Sequence, residues 1–383
     1  MGKAMSEVSK SKQDYYPFLD GYRAIAVLWV IFYHMNIYFN LEPFFGKYYL
    51  FAFKFFNVGH LGVDMFFVIS GFLISGLLLP DLRGAIRIKR FYLRRFFKIV
   101  PPYVVALLAG MAINKYMTPY VLAYVAQDGG HFRMFTTSSH NPAASFLSYF
   151  LLIQNFSDQI PIVQHTWSLA VEEHFYLVYP ILLTLVCLVR KEERARRQML
   201  LGIFCILILL CHLWRRYVAF WGGTNLTTFF RFDALVFGCL LKLLEPKLMA
   251  IPRERWQAVA FTARLAGMLI FLGFVIVGFK RNNLWAYTWA YVGAGLILLS
   301  FLNGASSSWK VIFENRYMRW IGHHSYGIYL WHILIIFPFS KLAQSLPHPA
   351  FPILYVACSI GAGYLSTITI ERYSLALRQK IAP

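Results

Sequence analysis

Apolar runs about twenty residues long recur along the chain, separated by short polar or basic stretches. They predict helices near 22–40, 59–80, 97–115, 165–189, 199–220, 227–244, 258–279, 285–302, 324–342 and 350–370. At 1.5 Å per residue, such runs suit a hydrocarbon core about 30 Å thick. The predicted fold is therefore all-α: a polytopic integral membrane helix bundle of about ten transmembrane helices, with no internal repeat. The longest gap, 116 to 164, holds His131, a TTSSHNP stretch and a short apolar piece from Phe146 to Phe156. A piece of about ten residues is too short to span, so it is expected to lie at the interface or to re-enter the bundle.

The placement of charge gives this pattern a direction. Most Lys and Arg fall in alternate gaps: Lys3, Lys10 and Lys12, then Arg83 to Lys98, Arg190 to Arg197, Lys247 to Arg264, Lys310 to Arg319 and Arg372 to Lys380. The intervening gaps hold only Lys47, Lys54, Arg133, Arg215, Arg216, Lys280, Arg281 and Lys341. By the positive-inside rule both termini are expected in the cytoplasm, with a cytoplasmic tail at 1–17, a transmembrane domain at 18–372 and a second cytoplasmic tail at 373–383.

Composition agrees with a membrane solvent. Of 383 residues, 58% are hydrophobic and 14% charged, against about 25% charged in soluble domains. The net charge of +20 would suit a nucleic-acid binder if it were clustered, but its distribution between spans accounts for it without a nucleic-acid partner. The expected location is the plasma (inner) membrane, crossed many times. The first 17 residues are polar, and no small-residue cleavage site follows, so a cleaved signal peptide is not expected. The five cysteines lie in apolar runs without metal-ligand spacing and are read as small buried hydrophobes, with no metal site.

Ionisable residues within spans cost several kcal/mol and mark either sites or structural pairs. In the first span Arg23 and His34 are eleven residues apart, which places them within about 20° of one helical face. If that helix enters near Tyr22, His34 lies about 18 Å in, past the midplane. In the fourth, HTWSLAVEEHFYLVYP places Glu172 and Glu173 about 11 to 12 Å below the outer edge, the expected depth of His34. A carboxylate there could orient the imidazole and raise its basicity, or one Glu could pair with Arg231. Arg94, Arg95 and Lys98 precede Pro101 and Pro102, where a helix break could line a cavity for the phosphates of a cytosolic cofactor. Arg231 and Asp233 could form a structural pair, and His332 reads equally as a packing histidine or a functional one.

These segments, taken in order, resemble the acyltransferase family 3 membrane proteins. The motifs that carry the resemblance, from about Leu19 to Glu371, are Arg23 with His34, GVDMFFVISGFLI, RRFFKIVPPY, HTWSLAVEEHFYLVYP, FRFDALVFGCLL and SYGIYLWH. The resemblance implies transfer of an acyl group, most simply acetyl, from acyl-CoA to a hydroxyl of a cell-envelope or exported glycan or lipid-linked sugar. It further implies His34 as base or transient acyl carrier, Arg23 as donor-orienting or oxyanion group, and Glu172 or Glu173 as partner to the imidazole. Arg94, Arg95, Lys98 and Ser70 would form the cofactor-binding set, with acyl-CoA (acetyl-CoA) as co-substrate and no permanently bound cofactor. Lys98 stands where the family commonly has a second arginine, which loses the bidentate phosphate geometry. His174 stands where glutamine is frequent. Some members carry a hydrolase-like domain after the last helix, which is not expected in the residues up to Pro383. A flippase moving a lipid-linked sugar or acyl donor without chemistry, and an acyltransferase acting on a small metabolite such as a macrolide, are the alternatives.

Overall fold

A computed structural model describes residues 16–39, 41–80, 88–127, 142–157, 160–220, 227–279, 284–302, 307–342 and 350–381. Lys3, Lys10, Lys12, Arg83, Arg87, Arg133, Lys280, Arg281, His131 and the polar stretch 136–141 lie outside the described residues. Helices α1 (Pro17–Tyr38), α2 (Glu42–Phe45), α3 (Tyr49–Asn57) and α4 (Gly62–Leu78) open the chain. The middle follows as α5 (Ile88–Gln127), α6 (Pro142–Phe150), α7 (Trp167–Val189), α8 (Glu193–Phe220), α9 (Thr228–Met249) and α10 (Arg253–Val277). The last part holds α11 (Leu284–Leu299), α12 (Ser307–Phe313), α13 (Arg316–His323), α14 (Ser325–Leu342), α15 (Ala350–Ser366) and α16 (Arg372–Ile381). Among the described residues there are no strands.

Each of the ten predicted spans falls on one of these helices. Among the described residues six segments are long and apolar enough to cross a membrane: Glu42–Leu78, Ile88–Tyr116, Ile162–Val189, Glu193–Val218, Arg253–Val277 and Ala350–Ile381. Two shorter apolar helices, Leu284–Leu299 and Ser325–Ile336, accompany them. The protein is a polytopic helical membrane protein. Helices α1 and α9 fall short of that apolarity because they carry charged residues such as Arg23, Arg231 and Asp233, and the bundle covers them. Tyr22, Val27, Val30 and Ile31 of α1 and Phe230, Leu235 and Cys239 of α9 are fully buried. By contrast α8 turns Ile206, Leu209, Leu210 and Leu213 outward, an apolar surface suited to lipid.

Close helix contact depends on small residues where apolar burial gives no advantage over lipid. Where α4 crosses α9, a Cβ on Gly71 would stand 1.9 Å from the Leu235 carbonyl oxygen, and one on Gly238 would stand 2.2 Å from that of Val68. The same crossing carries ions. Arg231 of α9 donates to Asp64 of α4 at 2.6 Å, and its guanidinium lies 4.8 Å from the Tyr287 ring centroid and 5.4 Å from that of Trp167. Arg215 of α8 donates to Asp233 at 2.6 Å, to the Phe230 carbonyl at 3.0 Å and to Thr288 at 3.0 Å. The expected Arg231–Asp233 pair is therefore replaced by two interhelical pairs. Residues two apart on a helix point about 200° from each other and cannot meet. Arg215, expected in a sparse outer gap, is fully buried.

The expected break at Pro101 and Pro102 does not occur, and α5 runs through both prolines. A proline leaves the carbonyl four residues earlier without its backbone donor. For Pro101 that carbonyl belongs to Phe97, and it accepts the Ser374 hydroxyl of α16. Just past it, Tyr326 of α14 donates to the Ile99 carbonyl at 2.7 Å and ties α14 to the same stretch of α5. A side chain from a neighbouring helix thus restores the bond that the Pro101 ring removes, and the helix stays continuous. The short apolar piece around Phe146 folds back as α6 and is pinned to the bundle. Tyr103 donates to the Tyr149 carbonyl at 2.8 Å, Gln154 to that of Thr166 at 3.0 Å and Asn155 to Thr228 at 2.6 Å.

Breaking one partner of a buried ion pair leaves an uncompensated charge. Asp64→Ala is expected to lower stability by about 3–5 kcal/mol, read as thermal unfolding in nanodiscs. The charge-free double variant Asp64→Leu with Arg231→Met should recover part of that loss.

Candidate active site

Seven helical segments converge on one cavity enclosing about 890 Å³, including its open mouth. Arg23 enters from α1, Ser70 from α4, Arg95 and Lys98 from α5, and Glu172 and Tyr176 from α7. Arg95 and Lys98 of α5 line the cavity, whereas Arg94, their neighbour in the chain, does not. His323 closes one side from the end of α13, and Glu371 closes another. Glu371 is brought in by a π-helical turn, Thr367–Glu371, between α15 and α16, a local widening that often serves sites.

The polar groups of the cavity are fixed by neighbours. Ser70 donates to Glu172 Oε1 at 3.1 Å and Tyr176 to Oε2 at 2.9 Å. The Arg95 guanidinium lies 5.0 Å from the Tyr176 ring centroid, a cation–π contact that holds it against α7. Three cations, Arg23, Arg95 and Lys98, face two carboxylates, Glu172 and Glu371, so the ionised cavity favours anions. The three cations lie in the first third of α1 and of α5, and Glu371 lies where α16 follows α15.

His34 is elsewhere. It sits one turn before the end of α1, about 16 Å along the helix from Arg23, and is half-buried. Its Nδ1 lies 3.0 Å from the Val30 carbonyl oxygen and 3.1 Å from Nε2 of His332, which is fully buried. The His332 ring lies 4.9 Å from His34 and 5.2 Å from His165, centroid to centroid. Three imidazoles therefore meet where a carboxylate–imidazole pair was expected. Both oxygens of Glu172 accept from hydroxyls in the cavity, and Glu173 Oε1 is buried with no partner among the described residues. The expectation failed on depth. Helix α1 ends at Tyr38, so His34 lies at the level of His165, which sits on the 3-10 turn ahead of α7, seven residues or roughly 10 Å before Glu172. The same spacing keeps Arg23 from acting on an oxyanion formed at His34.

Tyr329 stands between the two regions. It lines the inner cavity together with Phe66 and Ser168. Its ring centroid is 5.6 Å from those of both His165 and His332. Its hydroxyl donates to the His165 carbonyl at 2.6 Å and accepts from Ser168 at 2.7 Å.

With this geometry in view, residues 16–372 match the family model described as an acyltransferase domain. The chain belongs to acyltransferase family 3. It is 29% identical to the peptidoglycan O-acetyltransferase OatA of Listeria monocytogenes, over 96% of this chain and 57% of that protein. It is 31% identical to the Staphylococcus aureus (strain COL) protein named "Putative O-acetyltransferase SACOL0978", over 88% of this chain and 53% of the relative. A Bacillus subtilis protein named "Putative peptidoglycan O-acetyltransferase YrhL" is 28% identical over 88% of this chain and 51% of its own length. The chain thus spans about half the length of these relatives. No solved structure matches it.

In this acyltransferase-family chain the structure brings Arg23, Ser70, Arg95, Lys98 and Glu172 together and separates them from His34. Sequence reasoning missed Tyr176, His323, Tyr329 and Glu371 as cavity residues, and His165 as a neighbour of His332. His165 heads a motif already singled out. Nothing in the sequence signals the π turn that delivers Glu371.

If the cavity favours anions, a cysteine placed in it should discriminate between thiol reagents by charge. Ser70→Cys is expected to react about tenfold faster with an anionic methanethiosulfonate than with a cationic one. Ser75→Cys, one and a half turns along α4 and fully buried, should react with neither above the wild-type background.

Proposed function

We propose that this acyltransferase-family chain transfers an acetyl group from acyl-CoA, entering from the cytoplasmic face, to a hydroxyl of a cell-wall glycan. The observation that carries the proposal is the separation of a cationic cavity at one end of the bundle from a half-buried imidazole toward the other. The first suits the phosphates of a CoA-type donor. The second suits an acceptor that arrives from the opposite side. The abundance of Lys and Arg at the cavity end argues for a cytoplasmic mouth, and the names of the relatives argue for a peptidoglycan-type acceptor.

In this reading Arg95 and Lys98 bind donor phosphate, with Arg23 deeper along the same wall. Glu172 keeps Arg23 and Arg95 from presenting an unbalanced charge and is a cavity residue, not the partner of His34. The pantetheine arm runs inward past Phe66, Ser168 and Tyr329, so that the thioester carbonyl meets His34 beyond them. His34 takes the proton of the attacking hydroxyl as that oxygen bonds to the acyl carbon. The carbon–sulfur bond breaks, the electron pair leaves on sulfur, and the proton passes from His34 to the departing thiolate. A variant in which His34 itself carries the acyl group uses the same ring and the same leaving group.

The test uses the chain in nanodiscs with acetyl-CoA and lysozyme-solubilised peptidoglycan fragments, followed by CoA release and mass gain on the sugar. His34→Ala is expected to lower kcat by at least about 10²-fold. Arg95→Ala and Lys98→Ala should each raise KM for acetyl-CoA by about tenfold or more, while Arg94→Ala, outside the cavity, stays close to wild type. Full turnover by His34→Ala at normal protein levels would refute the mechanism, and sugar movement without thioester loss would favour a flippase.

A further inference from the structure

To act as base or nucleophile His34 needs a lone pair, and the geometry determines which nitrogen can supply it. His34 Nδ1 lies 3.0 Å from the Val30 carbonyl oxygen. A carbonyl only accepts, so Nδ1 must carry the hydrogen. His332 Nδ1 lies 2.6 Å from the Tyr329 carbonyl oxygen, so it too is the protonated nitrogen. Nε2 of neutral His332 is then bare and faces His34 Nδ1 at 3.1 Å. The polarity of that contact follows: His34 Nδ1–H is shared between the Val30 carbonyl and His332 Nε2. A hydrogen on His332 Nε2 would set two donors face to face. The opposite tautomer of His34 would set two lone pairs against Nδ1, one from Val30 and one from His332.

We infer that His332 is a positioning residue for His34, holding it in the Nδ1–H tautomer so that Nε2 carries the reacting lone pair. The inference rests on the reading of His34 as the reacting imidazole, and it holds whether Nε2 removes a proton or attacks the thioester. His332 is fully buried and its ring packs against Tyr329 and His165, so its own orientation is fixed. As Nε2 of His34 gains a proton from the acceptor hydroxyl, positive charge develops on the ring and the Nδ1–H bond to His332 strengthens. No proton need leave the pair. When the thiolate departs it takes the Nε2 proton, and the starting tautomer returns. The arrangement does for His34 what an acidic residue does in hydrolytic triads, with a neutral acceptor that costs less to bury than a carboxylate.

Two substitutions and one spectroscopic measurement test this. His332→Gln places a carbonyl acceptor near the Nε2 position, and His332→Phe fills the space with none. In the nanodisc assay His332→Phe is expected to lower kcat by about 10²-fold or more with KM for acetyl-CoA unchanged, and His332→Gln to recover at least about tenfold of that loss. Independently of whether those variants fold, magic-angle-spinning NMR of the ¹⁵N-histidine-labelled wild-type chain should show His34 with protonated Nδ1 and bare Nε2. Its signals are assigned by their loss in His34→Ala. A wild-type His34 protonated on Nε2, a His332→Phe variant with normal kcat, or equal losses in the Phe and Gln variants would overturn the inference. An active His34→Ala would remove the underlying reading as well, whereas an inactive His34→Ala beside a fully active His332→Phe would overturn only the positioning role.

Discussion

Hydrocarbon offers no hydrogen bonds, so each polar atom placed at membrane depth must find its partner within the protein. Most of this architecture follows from that constraint. Arg231 meets Asp64 and Arg215 meets Asp233 across helix boundaries, and three aromatic rings crowd the Arg231 guanidinium. The carbonyl that Pro101 strips of its donor accepts a serine hydroxyl from α16. These contacts tie α4, α5, α8, α9 and α16 into fixed positions, and the cavity and the histidine cluster occupy the space that those positions leave.

The same constraint explains why the two halves of the site differ. Near the bundle end, where water can enter, three cations and two carboxylates can share a cavity because solvent and an anionic ligand complete their charge balance. Toward the other end imidazole takes the place of carboxylate. Half-buried His34 and buried His165 and His332 have backbone carbonyls of Val30, Leu330 and Tyr329 as partners. Tyr329 belongs to both regions, with its ring on the cavity wall and its hydroxyl fixed to the carbonyl of His165. A donor held at one end and an acceptor received at the other would meet only past that residue.

Much of this was legible in the sequence. Twenty-residue apolar runs located all six segments that, among the described residues, are long and apolar enough to cross a membrane, because length and hydropathy are set by the thickness of the bilayer and need no knowledge of neighbours. The basic cluster Arg94, Arg95 and Lys98 was visible as a set, and two of its three members line the cavity. The ordered motifs pointed to the acyltransferase family, and the family match over residues 16–372 agrees. Among the ionisable residues singled out inside spans, Arg23 and Glu172 line the cavity and Arg231 and Asp233 sit in interhelical ion pairs, while the partner of Arg231, Asp64, was not singled out.

Which of those residues face each other was decided only by tertiary structure. Depth along one helix cannot be compared with depth along another until both ends are known, and α1 begins five residues earlier than its apolar run suggests and ends at Tyr38. That shift moved His34 away from Glu172 and toward His165 and His332. Proline chemistry predicted a broken α5, but the donor that repairs it at Phe97, Ser374, lies far along the chain on α16. The sequence determined which segments cross the membrane and which side chains must be satisfied there, because both depend on local composition. The pairing of those side chains depends on contacts between residues as much as 298 positions apart, as in His34 with His332, and only the packed bundle specifies them.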